Sequence, residues 1–209
     1  MSSNNSITTF RSTLKTEAES YNVVLSDQAL DRLTNYYELL NTWNARLHLV
    51  APTSPRAFAT RHILESLLLL EHLPNGARVI DVGSGAGLPS IPCLIVRPDI
   101  QAVLIEVSKK KSVFLREALA QAQVSERAIV IPERFENIAT PDGEFVTSRA
   151  LERFEDQLPK LIDWAPNAAT LLFFGGEALG KRLAETGLAP KGSLIPNSAR
   201  RFLFIARKV

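Results

Sequence analysis

The feature that most constrains this chain is a short apolar run that leads directly into three glycines at alternate positions. The run extends from Arg78 to Val82, and the glycines are Gly83, Gly85 and Gly87. Glycine permits a positive φ and lacks the Cβ that would keep a ligand away from the backbone. The pattern therefore predicts a buried strand, a tight turn that forms a ligand-sized notch, and a helix after it.

The spacing of the glycines separates two classes of cofactor. A dinucleotide motif, G-x-G-x-x-G, would need a third glycine at position 88, which is Leu88. The pattern present is acid-x-G-x-G-x-G, which resembles the loop that binds S-adenosylmethionine in Rossmann-like methyltransferases. We therefore expect S-adenosylmethionine as the cofactor. The contacts expected from this segment are Asp81, Gly83, Ser84, Gly85, Gly87 and Leu88.

A second acid, Glu106, closes the next apolar run, Ala102 to Ile105. Its separation from the glycines is about that at which a doubly wound fold places a carboxylate on a ribose diol. The two oxygens of a carboxylate accept hydrogen bonds from two adjacent hydroxyls. We expect Glu106 to bind the ribose. The alternative is a solvated strand end without a ligand.

Length and composition favour one compact domain. The chain has 209 residues, of which 45% are hydrophobic, so it can bury a core without covalent cross-links. We expect a disordered segment over 1–8, a helical extension over 9–75 and a sheet domain over 76–209. We expect the protein to act as a monomer.

Several functional classes are disfavoured. Cys93 is the only cysteine, which excludes an intramolecular disulfide and a cysteine-based zinc site and suits a cytoplasmic protein. His48, His62 and His72 are too scattered for a metal site, so no metal is expected. No apolar stretch is long enough to span a membrane, and the first residues lack the features of a signal peptide.

Strand and helix patterns alternate after Asn75-Gly76. Such alternation predicts an α/β fold with a largely parallel sheet covered on both faces. The residues after Leu188 are expected to supply antiparallel edge strands. Strands are predicted near 78–82, 102–106, 128–131, 144–148, 169–174 and 201–207, and helices near 90–97, 110–123, 154–165 and 176–185, after two helices over about 27–44 and 55–73.

Basic residues gather near predicted strand ends although the formal net charge is only +2. Lys109, Lys110 and Lys111 stand at the start of a predicted helix. Lysine at a helix N-terminus opposes the helix dipole, which slightly favours a functional role. Two interpretations stay open for this run: a solvated helix start and a phosphate contact.

Motifs spread over most of the chain carry a family resemblance. The chain resembles the bacterial small-subunit (16S) ribosomal RNA (guanine-N7) methyltransferases, also called glucose-inhibited division protein B. The resemblance runs from about Leu39 to the C-terminus. Its parts are Trp43-Asn44, Arg61-His62-Ile63-Leu64-Glu65-Ser66, the segment from Asp81 to Pro92, Lys110-Lys111 with Phe114-Leu115, and Ser148-Arg149-Ala150.

The resemblance implies a Rossmann-like class I methyltransferase with an antiparallel C-terminal edge and an N-terminal helical extension. It implies transfer of a methyl group from S-adenosylmethionine to form 7-methylguanosine in small-subunit ribosomal RNA, with the RNA or the ribosomal subunit as partner. Arg149 and Arg134 are the expected catalytic residues and also cofactor contacts. Arg134, Phe135 and Glu136, beyond the third strand, are expected where such folds usually hold the adenine.

The chain departs from the family pattern at positions that include Val50, Glu65, Phe174 and Phe202. The cofactor motifs are better kept than the positions expected to face RNA. Two alternatives therefore stay open: an RNA or ribosome accessory protein that binds the cofactor without methyl transfer, and a methyltransferase that acts on another RNA.

Overall fold

The computed structural model describes residues 3–149 and 154–208. Ala150, the last residue of the predicted Ser148-Arg149-Ala150 motif, lies outside them. Within the described residues the chain forms a seven-stranded sheet in the order β3-β2-β1-β4-β5-β7-β6. The strands are β1 Arg78–Val82, β2 Gln101–Ile105, β3 Ala128–Ile131, β4 Phe145–Ser148, β5 Thr170–Gly175, β6 Lys191–Leu194 and β7 Phe202–Arg207.

Strands β1 to β5 pair in parallel, as the alternating pattern predicts. Strand β7 runs antiparallel to both β5 and β6, so the antiparallel pairs lie at the C-terminal edge. The strand order reverses between β1 and β4. In open α/β sheets such a reversal opens a crevice at the carboxyl ends of the strands, where ligands bind.

Eight α-helical segments are described around this sheet. Serine side chains cap three of them: the hydroxyls of Ser26, Ser54 and Ser108 accept hydrogen bonds from backbone N–H groups in the first turns. The segments are α1 Ser3–Glu17, α2 Asp27–Leu47, α3 Pro55–Phe58, α4 Glu65–Leu67, α5 Ser90–Val96, α6 Lys109–Gln121, α7 Phe154–Trp164 and α8 Glu177–Glu185.

Residues 3–8 belong to helix α1, whereas a disordered segment was expected over residues 1–8, of which residues 1 and 2 lie outside the described part of the chain. The anchor of α1 is apolar. The rings of Phe10 and Tyr37 stack with centroids 4.2 Å apart, and Phe10 and Leu14 are fully buried. Since α2 is itself packed on the sheet domain, these contacts hold α1 in place, and its polar first turn extends from the anchored part.

Helix α3 continues into α4 through a π-helical segment, Ala59–Leu64, and α4 into a 3-10 segment, Leu68–His72. In the π segment the Glu65 N–H donates to the carbonyl of Thr60, five residues back. Such wide turns recur at functional sites because they redirect backbone carbonyls. Here the segment faces the carboxyl end of β4. No helix among the described residues is long and apolar enough to cross a membrane.

Candidate functional site

The glycine loop follows β1 and is fixed to the end of β2. Gly83, Gly85 and Gly87 have φ angles of 73°, 53° and 82°. The N–H groups of Gly83 and Ser84 donate to the carbonyl of Ile105 at 2.9 and 3.1 Å. The predicted strand, turn and helix therefore occur as expected, and the turn is held to the end of the neighbouring strand β2.

Two of the glycines serve different purposes. A Cβ on Gly87 would lie 2.4 Å from the Ile91 side chain and 3.1 Å from that of Leu115, so the packing of the following helices excludes it. A Cβ on Gly85 would meet only the Gly83 carbonyl, at 3.8 Å. Gly85 therefore faces open space, where a ligand can reach the backbone.

A cavity of about 470 Å³ lies across the carboxyl ends of β1, β2 and β3. Its size falls within the range usual for small-molecule sites, and its wall combines apolar side chains with a few polar groups. The lining residues are Leu49, Val82, Gly83, Gly85, Ile105, Glu106, Val107, Ser108, Lys111, Glu133, Arg134, Phe135, Glu136 and Gln157.

Glu106 is buried in the wall of this cavity. Its burial argues against the alternative that Glu106 is a solvated strand end. Its Oε2 accepts a hydrogen bond from the Gly85 N–H at 2.9 Å, and its Oε1 accepts one from the Ser108 N–H at 2.8 Å. Each carboxylate oxygen has a further lone pair. The side chain is thus held in one orientation and can still accept hydrogen bonds from two ligand hydroxyls.

Asp81 lies beneath the loop, fully buried, and does not line the cavity. Burial raises the pKa of Asp81 to about 7, against the opposing effect of the Ser90 and Ser84 hydroxyls. These hydroxyls lie near the carboxylate, but neither of its oxygens has a well-aligned hydrogen-bond partner within the described residues. The position of Asp81 indicates support of the loop from below.

Ser84, Gly87 and Leu88 also lie outside the cavity wall. The Ser84 hydroxyl donates to the backbone carbonyl of Asp81 at 2.9 Å, and Leu88 is buried in the core. These residues shape the turn from behind. Of the loop residues predicted as cofactor contacts, Gly83 and Gly85 line the cavity.

Arg134, Phe135 and Glu136 line the cavity on the side of β3, where the sequence places the adenine. Phe135 is buried and meets Trp164 edge to face at 5.5 Å. Arg134 and Glu136 are exposed, so their side chains lie at the mouth of the cavity. Their arrangement offers a fixed apolar ring with charged groups outside it.

Arg149 follows β4, as predicted, but does not line the cavity and is not brought together with Arg134 there. Its guanidinium donates to the Arg61 carbonyl, to the His62 carbonyl at 3.5 Å and to the Ser66 hydroxyl at 3.2 Å. The side chain is 16% exposed. Both carbonyls belong to the π-helical segment, so this segment supplies acceptors for Arg149.

Glu65 completes this cluster. Its carboxylate pairs with Arg149 at 3.2 Å and with Arg201, and its side chain is 2% exposed. Burial raises the pKa of Glu65, while the two guanidinium groups lower it. Arg149 also lies over the Phe174 ring, 5.3 Å from its centroid. The cluster joins the helical extension to the carboxyl ends of β4 and β5.

His62 packs on the Phe58 ring, with centroids 4.9 Å apart. Burial, together with the positive charges of Arg149, Arg61 and Arg201, lowers the pKa of His62 to about 4. The imidazole is therefore neutral at physiological pH. Within the described residues no group of histidine, cysteine or acidic side chains is arranged to hold a metal ion.

Several cavity residues were not among the sequence predictions. Leu49 comes from the segment after α2, and Val107 and Ser108 follow Glu106 directly. Lys111 belongs to the basic run, and that run was the only feature of the sequence that indicated a binding role for Lys111. Gln157 lies in α7, where nothing in the helical pattern marks a polar residue as a binding group.

The sequence comparisons agree on one family. The family model described as GidB, rRNA small subunit methyltransferase G, matches residues 29–186. Ribosomal RNA small subunit methyltransferase G from Neisseria meningitidis serogroup A is 34% identical over 170 residues, which cover 81% of this chain and 76% of that protein. The protein of the same name from Nitrosospira multiformis is 38% identical over 173 residues, which cover 81% and 75%.

Solved structures with similar folds are methyltransferases of low sequence identity. A SAM-dependent methyltransferase from Aquifex aeolicus is 17% identical with a TM-score of 0.59, covering 73% of this chain and 93% of that one. TYW2 from M. jannaschii, in complex with AdoMet, is 15% identical with a TM-score of 0.55, covering 70% and 74%. This likeness shows the Rossmann-like methyltransferase fold.

The family match covers more than half of the chain, and it agrees with the glycine loop, the buried Glu106 and the sheet order. The chain therefore belongs to the GidB family of small-subunit ribosomal RNA methyltransferases, enzymes that depend on S-adenosylmethionine.

Proposed function

We propose that the chain binds S-adenosylmethionine in the cavity beside Glu106 and methylates N7 of a guanosine in small-subunit (16S) ribosomal RNA. The observation that carries the proposal is the Glu106 carboxylate, which is fixed by the Gly85 and Ser108 N–H groups and faces a cavity of about 470 Å³. Family membership supports the substrate class.

The residues present fit this cofactor. Gly85 has a positive φ, and a Cβ there would project into open space, which supports close approach of a ligand to the backbone. Glu106 supports two hydroxyl contacts, and Phe135 offers an apolar ring beside which a base can lie. Four residues predicted as cofactor contacts do not line the cavity: Asp81, Ser84, Gly87 and Leu88. In this proposal they act indirectly, by fixing the shape of the loop that holds the cofactor.

The proposed transfer needs few catalytic groups. S-Adenosylmethionine supplies a methyl group bound to a positively charged sulfur. N7 of guanine carries a lone pair at neutral pH, so the attacking atom does not have to lose a proton first. The protein has to align the reactants and exclude water, and such alignment contributes roughly 7 to 11 kcal/mol where a near-attack geometry is held.

Basic side chains around the cavity support an RNA substrate. Lys111 lines the cavity, Arg134 stands at its mouth, and Lys109 and Lys110 are exposed on the same first turn of α6. Positive charge at such positions binds phosphates, and this binding weakens as salt rises. A guanosine in an RNA loop leaves its stack more easily than one in a duplex, which suits entry into a pocket.

The predicted role of Arg149 as a catalytic and cofactor-binding residue stays a prediction. Its contacts with Glu65, Ser66 and the π-helical carbonyls support a positioning role at the end of β4. Arg134 has the exposure that a direct contact with RNA requires. We therefore place Arg134 against the RNA, and we assign Arg149 the separate role of fixing the helical extension at the end of β4.

Two further parts of the proposal concern the whole protein. We propose that the protein acts as a monomer. A ribosomal RNA substrate would place the enzyme in the bacterial cytoplasm.

Transfer of a labelled methyl group tests the proposal. Undermethylated small ribosomal subunits, protein-free ribosomal RNA and transfer RNA are incubated with labelled S-adenosylmethionine, and 7-methylguanosine is located by chemical strand cleavage. We expect one labelled guanosine N7 in small-subunit RNA. Label in transfer RNA alone would contradict the substrate, and tight cofactor binding without label in any RNA would instead indicate an accessory protein.

A further inference from the structure

Gln157 stands in the cavity wall with an amide oxygen that has no hydrogen-bond partner among the described residues. This oxygen is buried. A buried acceptor without a donor destabilises a protein, and such atoms in native structures call for an explanation. The terminal amide torsion of glutamine is broad and roughly two-fold, so the amide can turn its oxygen toward a ligand in the cavity that Gln157 lines.

The position of Gln157 indicates which part of a ligand it meets. Helix α7 packs against the 3-10 turn Phe135–Asn137, and the next residue, Leu158, belongs to the same buried cluster as Phe135. Gln157 and Phe135 therefore line the same end of the cavity. The glycine loop and Glu106 form another part of the cavity wall.

The chemistry of this end favours a flat base with an amino group. Phe135, Ile105 and Val107 provide apolar surface for a ring. Gln157 is neutral, and its amide oxygen is a hydrogen-bond acceptor that suits an uncharged donor. An ammonium group would bind more strongly to a carboxylate of the cavity wall than to this amide. The adenine of S-adenosylmethionine carries such a donor, its exocyclic amino group.

We infer that Gln157 is a specificity-determining residue that accepts a hydrogen bond from the amino group of the cofactor's adenine. The inference rests on the proposed function and goes beyond it, because it names how the base is distinguished from other purines. A site with a buried partner for an amino group rejects the analogue that lacks it.

Calorimetry with two ligands tests the inference without turnover. The ligands are S-adenosylhomocysteine and its analogue with hydrogen in place of the adenine amino group, which offers no donor. For the unaltered protein we expect the analogue to bind about tenfold more weakly or worse. In Gln157→Leu the ratio of the two affinities should fall below about threefold, because no acceptor is left unpaired.

Matched variants keep the result interpretable. Gln157→Met provides a second apolar replacement of similar length if Gln157→Leu folds poorly, and it should show the same small ratio. Gln28→Leu, an exposed change on α2, should keep the ratio of the unaltered protein.

Each result bears on a different claim. A ratio near one in the unaltered protein, or a ratio that Gln157→Leu and Gln157→Met leave unchanged, overturns the inference while the proposed function stands on tight binding of S-adenosylhomocysteine. If S-adenosylhomocysteine does not bind to the unaltered protein, both the inference about Gln157 and the proposed function are overturned.

Discussion

Glu106 is the side chain that joins the glycine loop to the cavity. One carboxylate oxygen holds the Gly85 N–H and the other holds the Ser108 N–H. The same two oxygens are available to a ribose. The residue therefore shapes the loop, and in the proposed function it also binds the ribose of the cofactor.

Glu106→Gln should weaken binding of S-adenosylhomocysteine at least about tenfold. The substitution keeps the shape of the side chain but turns one acceptor into a donor, which faces a backbone N–H and no longer accepts a hydrogen bond from a ribose hydroxyl. Loss of such a hydrogen bond in a buried site costs about 1 to 3 kcal/mol. Isothermal titration calorimetry measures the effect.

The exposed change Glu117→Gln on α6 is the matched control and should bind as the unaltered protein does. Equal affinities for Glu106→Gln and Glu117→Gln would remove Glu106 from the site.

Asp81 should make stability depend on pH. Its folded-state pKa, about 7, lies above the usual value, with burial as the main cause. Between about pH 4 and pH 7 the folded state therefore keeps a proton that the unfolded state releases, so the free energy of unfolding falls as pH rises through this window. Asp81→Asn removes this loss. Its melting temperature relative to the unaltered protein should be higher at pH 8 than at pH 5.

Asp163→Asn, an exposed change on α7, should show no such difference between the two pH values. The account of Asp81 fails if its Asn variant shifts the melting temperature equally at both.

Helix α2 supports the glycine loop through one hydrogen bond. The Tyr36 hydroxyl donates to the Ala86 carbonyl at 2.6 Å, and both residues are buried. Tyr36→Phe leaves this carbonyl unpaired. We expect a loss of about 1 kcal/mol in stability and a several-fold loss of affinity for S-adenosylhomocysteine, because the loop is less well fixed.

The neighbouring Tyr37→Phe makes the same chemical change where the ring stacks on Phe10, away from the loop. It should leave the affinity unchanged. A Tyr36→Phe protein that loses stability but binds the ligand as tightly as Tyr37→Phe would show that α2 does not position the loop.

The pair of Glu65 and Arg149 should join the π-helical segment to β4. Arg149→Gln leaves a buried carboxylate with fewer partners, and breaking such a pair costs about 3 kcal/mol. Since Glu65→Gln also removes the charge, the double variant should lose less stability than the sum of the single variants. Denaturant unfolding measures all three.

Arg78→Gln breaks exposed ion pairs with Asp142 and Glu144 and serves as the comparison, with an expected loss of about 1 kcal/mol or less. Strict additivity of the Glu65 and Arg149 changes would contradict their coupling.

The strands and helices of the sheet domain could be predicted closely because local signals mark them. The β1 strand is found at Arg78–Val82, where apolar periodicity ends at the glycines. Helix α1 could not be predicted over its first residues. Its polar start has no helical pattern, and its stability comes from the distant stacking of Phe10 on Tyr37.

The candidate site was predictable only where a local motif carries it. Gly85 and Glu106 stand in such motifs and line the cavity. Arg149 was placed correctly at the end of β4, but its partners are more than 80 residues away in the chain, so its contacts could not be foreseen. Gln157 carries no local signal, because a polar residue on a helix usually faces solvent.

At the scale of the whole molecule, the helical extension and the sheet share one hydrophobic core. A single cluster of buried residues includes Phe10 of α1, Leu40 of α2, Leu64 of the π-helical segment and Leu104 of β2. The extension thus supports the sheet domain at the glycine loop and at the end of β4. The cavity depends on both parts of the fold.

A crystal structure of the protein with S-adenosylhomocysteine tests the central claim most directly. We predict that the ligand lies in the cavity across the ends of β1, β2 and β3. Both ribose hydroxyls should donate to Glu106, and the ligand should lie against the backbone of Gly85. Ligand bound elsewhere on the protein, or ribose hydroxyls turned away from Glu106, would contradict the account.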